Sequence, residues 1–230
     1  MATLKLLSSM APKACLAAAV DLYAKSHTDR VLAEAAGGVD VARRIASGEA
    51  SDIVVLSDDA IDKLLAAGHV MREGHTPLMR SGIALAVNAA ASPPEISTEA
   101  SVKAAVLNSP SLSYSSGPSG RYLETLFARW GVLETIRARI VVPPPGTPVA
   151  ELVANGTAAL GFQQLSEMLY APGICLVGGL PAEIQQETIF AGAVTRVSGM
   201  GESARALLRF LASPALAPLR LHFGMAEPAS

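Results

Sequence analysis

The chain has 230 residues, of which 50% are hydrophobic, 17% are charged and 4% are aromatic. A formal charge of −2 and the few aromatic side chains argue against a nucleic-acid-binding protein. No window of about 18 uninterrupted apolar residues is present, so we expect no transmembrane helix. The length and composition indicate a globular chain that is large enough for one large domain or two lobes.

The first 70 residues alternate between short apolar strands and helices. Residues 4–7 and 31–35 are predicted strands, and residues 53–56 form a continuous apolar run that is typical of a buried parallel strand. A helix is predicted after each strand, over residues 13–25, 41–47 and 60–67. This alternation predicts a parallel sheet with helices on both faces.

A second α/β stretch lies between two longer strand-like segments. These segments, residues 78–89 and 188–197, are predicted to carry the chain from one lobe to the other and back. The predicted lobes are residues 1–82 with 190–230, and residues 83–189. The predicted architecture is therefore two doubly wound α/β lobes joined by two crossing strands, with a hinged cleft that closes around a ligand.

Two serine-rich turns each lead from a predicted strand into a helix. Small residues let backbone N–H groups approach a bound group, serines add hydroxyl donors, and a helix N-terminus favours negative charge. Two such turns facing one cleft would form an anion site, whereas a single turn is equally well explained by a serine helix cap. The candidate ligand-binding residues in these turns are Ser8, Ser9, Ser115, Ser116, Ser119 and Gly120.

Two further polar pairs are candidate ligand residues. Arg80 and Ser81 begin the first crossing strand, where the guanidinium group could grip a carboxylate in a bidentate way or remain a solvated charge. Gln163 and Gln164 follow a predicted strand at residues 158–161, where parallel sheets place ligand loops, although a capping or packing role is also open. No metal-ligand spacing, P-loop or dinucleotide motif is present, so we expect no metal and no cofactor.

Several segments in order resemble the type II periplasmic substrate-binding proteins, specifically their molybdate-binding branch. The segments are Ser8-Ser9, residues 37–48 with the strand at 52–55, the turn at Gly117, residues 159–162, residues 210–214 and Phe223-Gly224. The resemblance implies an interlobe cleft in which hydroxyl and N–H groups at helix starts hold an oxyanion. Ser9 matches the first such position, and Gly38 and Val39 stand where the branch usually has a second serine, so backbone N–H groups would serve there.

Two functional hypotheses follow from the residues and the resemblance. The first is a monomeric binding protein for a molybdate-like oxyanion or a di- or tricarboxylate, which would partner a membrane ABC importer if the chain is exported. The second is a cofactor-free enzyme, because the same fold resembles aconitate isomerase, which interconverts trans- and cis-aconitate by an allylic proton shift. The chain would be periplasmic if a signal segment has been removed and cytoplasmic otherwise. Under the enzyme hypothesis, the proton-carrying residue is not identified by the sequence.

Overall fold

The structure is a computed structural model that describes residues 2–144 and 146–228. Its contacts divide the chain into two compact units. Unit one comprises the residues up to Ser81 and those from Thr188 onward, and unit two is Gly82–Glu187. The predicted α/β class is confirmed, since strands and helices alternate along both units. No helix among the described residues is both long and apolar enough to span a membrane.

Unit one is an α/β unit built on one sheet. Its elements are β1 (Thr3–Ser9), α1 (Lys13–Ala24), β2 (Arg30–Ala36), α2 (Gly38–Ala46), β3 (Ile53–Ser57), α3 (Asp58–Ala66), the first part of β4 (Thr76–Asn88), β8 (Glu187–Val194), α9 (Gly201–Ala212) and α10 (Ala217–His222). The strand order is β2-β1-β3-β8-β4. β1 pairs in parallel with β2 and β3, whereas β3 pairs antiparallel with β8.

Unit two repeats this architecture around the second part of β4. Its further elements are α4 (Glu99–Asn108), β5 (Leu112–Tyr114), α5 (Pro118–Arg129), α6 (Leu133–Ile136), α7 (Val149–Ala154), β6 (Leu160–Gln164), α8 (Leu165–Met168) and β7 (Ile174–Gly179). β4 pairs antiparallel with β6 and β7, and β5 pairs in parallel with β6. β5 and β6 therefore end at the same edge of the sheet.

Each sheet is covered by apolar side chains on both faces. In unit one, Leu6 packs with α1 and α9, while the next residue, Leu7, packs with α2 and α3. In unit two, Phe162 packs with α5, while Ala84 and Ala86 pack with α7. Because neighbouring residues of a strand point to opposite faces, this alternation requires helices on both sides, as the continuous apolar runs predict.

Three predicted boundaries were wrong in ways that affect the candidate site. Ser8 and Ser9 belong to β1 rather than to a turn, because pairing with β2 continues to Ala36. Gln163 and Gln164 are the last residues of β6 rather than residues after it, because they still pair with β4. The helix predicted to begin at residue 41 begins at Gly38. In the two strands, hydrogen bonds to a neighbouring strand extend the regular structure beyond its local sequence signal, whereas in α2 the Val41 N–H donates to the Gly37 carbonyl and closes an earlier first turn.

Candidate functional site

The serine-rich turn of unit two leads directly into α5. Helix α5 begins at Pro118, so Ser119 and Gly120 lie in its first turn rather than before it. The Ser115 and Ser119 hydroxyl oxygens are 3.1 Å apart, and the Gly117 N–H donates to the Ser115 hydroxyl at 3.4 Å. Ser119 and Gly120 are buried, whereas Ser116 is exposed. The predicted cluster of hydroxyl and N–H groups therefore forms at the start of a twelve-residue helix.

A cavity of about 330 Å³ lies beside this turn, within unit two. Ser115, Ser116 and Gly120 line it together with the guanidinium-bearing residues Arg121 and Arg137. Its volume falls at the small end of the range for small-molecule pockets. The Arg137 guanidinium also donates to both carboxylate oxygens of Glu134, at 3.0 and 2.5 Å. The cavity thus brings serine hydroxyls next to Arg121 and next to an arginine that is already paired with a carboxylate.

One wall of the cavity carries a tyrosine paired with a carboxylate. The Tyr114 hydroxyl donates to Glu124 Oε1 at 3.3 Å. Burial, together with the negative charge of Glu124, raises the pKa of Tyr114 to about 12. Tyr114 is therefore a neutral hydroxyl at physiological pH, and it occupies one Glu124 oxygen. This wall therefore adds a carboxylate to the cavity. A ligand there would meet the guanidinium groups of Arg121 and Arg137 and the carboxylate of Glu124.

In unit one, Ser9 lies against the first residue of α2. Among the described residues, the Ser9 hydroxyl is a buried oxygen for which the structure contains no hydrogen-bond partner. A Cβ atom placed on Gly38 would lie 3.4 Å from the Ser9 Cβ atom, so the serine side chain and the helix start are neighbours. The Gly38 and Val39 N–H groups belong to the first turn of α2, where amides have no intrahelical acceptor. Ser8, by contrast, is buried and on the other face of β1.

Arg80 and Ser81 contact the C-terminal segment of unit one. Arg80 Nε donates to the Glu227 carbonyl at 2.8 Å, and the backbone of Arg80 pairs with Ala226. The Ser81 hydroxyl donates to the Gly224 carbonyl at 3.1 Å. These contacts give both side chains partners that hold β4 against residues 224–227. A role of Arg80 in gripping a carboxylate stays a prediction.

Gln163 and Gln164 occupy opposite faces of the unit-two sheet. Gln163 Oε1 accepts from the Val149 N–H at 3.1 Å, and Gln163 Nε2 donates to Glu167 Oε1 at 2.7 Å. Gln164 shares the face of Phe162, which packs with α5. Both glutamines are nearly fully buried. The two residues predicted as one ligand pair therefore have separate surroundings.

Glu167 and Arg137 are polar residues of this unit that the sequence reasoning missed. Burial raises the pKa of Glu167 to about 7, while the hydrogen bond from Gln163 acts in the opposite direction. The position of Glu167, three residues after a Gln-Gln pair in a short helix, carries no recognisable motif. The one sequence signal for Glu167 was its position just after a strand, since ligand-binding loops in α/β sheets follow the carboxyl ends of parallel strands.

The chain is similar to one curated enzyme and to several solved binding proteins. It is 40% identical over 176 residues to an aconitate isomerase from Pseudomonas sp., a match that covers 75% of this chain and 66% of that protein. The chain therefore spans just under two thirds of this relative's length. The periplasmic molybdate-binding protein of Azotobacter vinelandii superposes with a TM-score of 0.80 at 18% identity, covering 98% of this chain and 100% of the other. A sulfate-binding protein from Mycobacterium tuberculosis gives 0.76 at 15% identity, covering 98% and 86%.

These likenesses confirm the predicted type II periplasmic-binding-protein fold, including its resemblance to the molybdate-binding branch. At 15–18% identity the two solved structures show the fold alone. A family model described as bacterial extracellular solute-binding protein matches residues 4–226, which is nearly the whole chain. The chain therefore belongs to the bacterial extracellular solute-binding protein family.

Proposed function

We propose that this chain binds a small polycarboxylate of the aconitate class and isomerises it without a cofactor. The observation that carries the proposal is the cavity of unit two, where Ser115 and Ser116 line the same space as Arg121 and Arg137. Hydroxyl and N–H donors alone suit a tetrahedral oxyanion, whereas a guanidinium group matches the planar, bidentate geometry of a carboxylate. Arg121 is the proposed carboxylate donor, since Arg137 already pairs with Glu134. The relative named aconitate isomerase supports the choice of a tricarboxylate.

The proposed binding groups are of two kinds. In unit two they are the hydroxyl and N–H groups at the start of α5, to which Gln164 is added as a candidate on the same face. In unit one, Ser9 and the Gly38 and Val39 N–H groups offer a second set of donors. Four other residues remain ligand candidates on the sequence alone, namely Ser8, Arg80, Ser81 and Gln163. Their contacts or burial give each of them a structural role as well.

The alternative function is a receptor that delivers an oxyanion to a membrane ABC importer. It is favoured by the family description, extracellular solute-binding protein, and by a fold shared with proteins named for molybdate and sulfate binding. Under this alternative the protein would be a monomer that acts outside the cytoplasmic membrane and does not change its ligand. The buried Ser9 hydroxyl, which has no hydrogen-bond partner in the described part of the chain, lies beside the start of α2 and suits such an oxyanion.

A thermal-shift comparison followed by a turnover assay separates the two functions. Molybdate, tungstate, sulfate, citrate and trans-aconitate are added in turn, because a ligand that binds the folded state raises the melting temperature. Incubation with trans-aconitate is then followed by measuring cis-aconitate. Stabilisation by tricarboxylates with formation of cis-aconitate supports the isomerase. Stabilisation by molybdate without turnover contradicts it and supports the receptor.

A further inference from the structure

The first turns of α5 bring a cation and a carboxylate to one wall of the unit-two cavity. Gly120, Arg121 and Glu124 belong to this helix, and all three line the cavity. Residues three or four positions apart are neighbours on a helix surface, with Cβ atoms about 5–6 Å apart. Glu124 therefore lies beside Arg121, the proposed carboxylate donor. A ligand whose carboxylate binds at Arg121 would have its neighbouring carbon atoms within reach of Glu124.

The Tyr114 hydroxyl fixes one oxygen of the Glu124 carboxylate. It donates to Glu124 Oε1 at 3.3 Å, and both residues line the same cavity. Tyr114 is only 8% exposed, and its ring packs edge-on against Phe127 at a centroid distance of 6.0 Å. Glu124, by contrast, is exposed, so its carboxylate can meet a ligand in the cavity. The protein thus orients an accessible carboxylate from a buried support.

Glu124 is unfavourable for the binding of a polycarboxylate in this cavity. Like charges repel one another, and the repulsion grows where water is partly excluded from the space between them. Natural proteins break such rules mainly at functional sites, where the cost in binding or stability is offset by function. Carboxylates also serve as general bases and acids when they lie within reach of a reacting proton. A carboxylate in the wall of a carboxylate-binding cavity is therefore better explained by proton transfer than by affinity.

We propose that Glu124 is the residue that carries the proton in the isomerisation of aconitate, and that Tyr114 positions it. The inference rests on the proposed isomerase function. The Glu124 carboxylate removes a proton from the methylene carbon of trans-aconitate, and the C–H electron pair forms a double bond to the central carbon. The electrons of the original double bond move to the outer carbon, which takes the proton back from Glu124. Atoms and electrons balance, and no oxidant or other reactant is needed.

The test compares wild-type protein with Glu124→Gln, Glu124→Asp and Tyr114→Phe. Glu124→Gln removes the like charge, so trans-aconitate should raise its melting temperature at least as much as that of wild type. Its turnover should fall at least about 100-fold, the lower end of the usual effect of general acid–base catalysis. Glu124→Asp, which keeps a carboxyl group, should recover part of the activity. Tyr114→Phe removes only the hydroxyl that positions Glu124, so kcat should fall by roughly tenfold or more with little change in KM. Glu151→Gln, exposed on α7 and away from the cavity wall, is the matched control and should behave as wild type.

A second readout is the incorporation of deuterium from D₂O into aconitate, which should accompany wild-type turnover and disappear in Glu124→Gln. Unfolding curves without ligand show that each variant is folded. Turnover that persists in Glu124→Gln, or a loss of its stabilisation by trans-aconitate, overturns the assignment of Glu124 but leaves the isomerase function standing. A wild-type protein that never forms cis-aconitate overturns the isomerase function itself, and the role of Glu124 with it.

Discussion

A Cβ atom on Gly120 would lie 1.6 Å from the carbonyl oxygen of Ser115. This distance is far inside any van der Waals contact, so only glycine allows the first turn of α5 to fold back against the serine turn. The close approach brings the Ser115 and Ser119 hydroxyls together and keeps the turn beside the cavity. The geometry of the proposed anion site therefore depends on a residue that contributes no side chain.

Gly120→Ala should destabilise the protein by at least about 2 kcal/mol, since the clash is with backbone that cannot move without displacing α5. Gly117→Ala is the matched control. A Cβ atom at Gly117 would meet only the Ser115 hydroxyl, at 3.5 Å, and the φ angle of Gly117 is an ordinary negative one. Chemical denaturation of both variants measures the difference. Equal stability of the two variants would contradict the packing described here.

The double change of Ser115 and Ser116 to Ala should weaken binding of the anion by roughly tenfold or more while changing the free energy of unfolding little. Each hydrogen bond lost to a charged ligand weakens binding by about 1.5–3 kcal/mol. The free energy of unfolding should change little, because without ligand these partly exposed hydroxyls can bond to water. Isothermal calorimetry with the anion identified by thermal shift measures the first effect, and denaturation measures the second. A large loss of stability with unchanged affinity would mark a purely structural turn.

Replacing Arg121 by Gln tests whether the cavity binds carboxylates. The change should reduce the stabilisation by citrate and trans-aconitate more than that by sulfate or molybdate, because it removes a bidentate donor. The control is Arg129→Gln on the same helix, since Arg129 pairs with Glu99 and does not line the cavity. Equal thermal shifts with tricarboxylates in the Arg121 variant and wild type would exclude this arginine from the site.

Ser9→Ala should leave the protein equally stable or more stable by about 1 kcal/mol, because it removes a buried hydroxyl that makes no hydrogen bond to residues 2–144 or 146–228. The same change should weaken anion binding if Ser9 contacts the ligand. Ser51→Ala is the contrasting control, since the Ser51 hydroxyl is buried and donates to the Lys5 and Ile53 carbonyls. That variant should lose about 1 kcal/mol in urea denaturation. A similar loss in Ser9→Ala would reveal a structural partner for its hydroxyl.

The stability of the protein should fall as the pH rises towards neutrality, through Glu167. Its pKa is raised from the usual 4.5 to about 7 in the folded protein, so the folded state binds the proton more tightly than the unfolded chain does. The resulting stabilisation is complete below about pH 4.5, is lost as the pH rises to about 7, and stays lost above it. Glu167→Gln removes this dependence. The variant should therefore gain about 3 kcal/mol relative to wild type between pH 4.5 and pH 8.5.

Denaturation curves of the two proteins at several pH values measure this difference directly. A stability difference that is the same at every pH would show that Glu167 titrates as an exposed carboxyl group does.

The sequence by itself determined the α/β class and the position of the serine-rich turn of unit two. Both follow from local patterns, namely apolar runs such as residues 53–56, helix periodicity and small residues before a helix. The second turn was less well predicted, because β1 continues through Ser8 and Ser9 by pairing with β2. The prediction that the two turns serve one ligand stays a prediction.

Only the tertiary structure decided the surroundings of the polar side chains. Gln163 and Gln164 are adjacent in the sequence but face opposite sides of β6, and Arg80 Nε donates to the carbonyl of Glu227, which is 147 positions away. The raised pKa of Glu167 has the same origin, because desolvation depends on which helices and strands pack around a carboxyl group. Local sequence specifies which residues can form a strand or a helix start, whereas burial and pairing arise from contacts between distant segments.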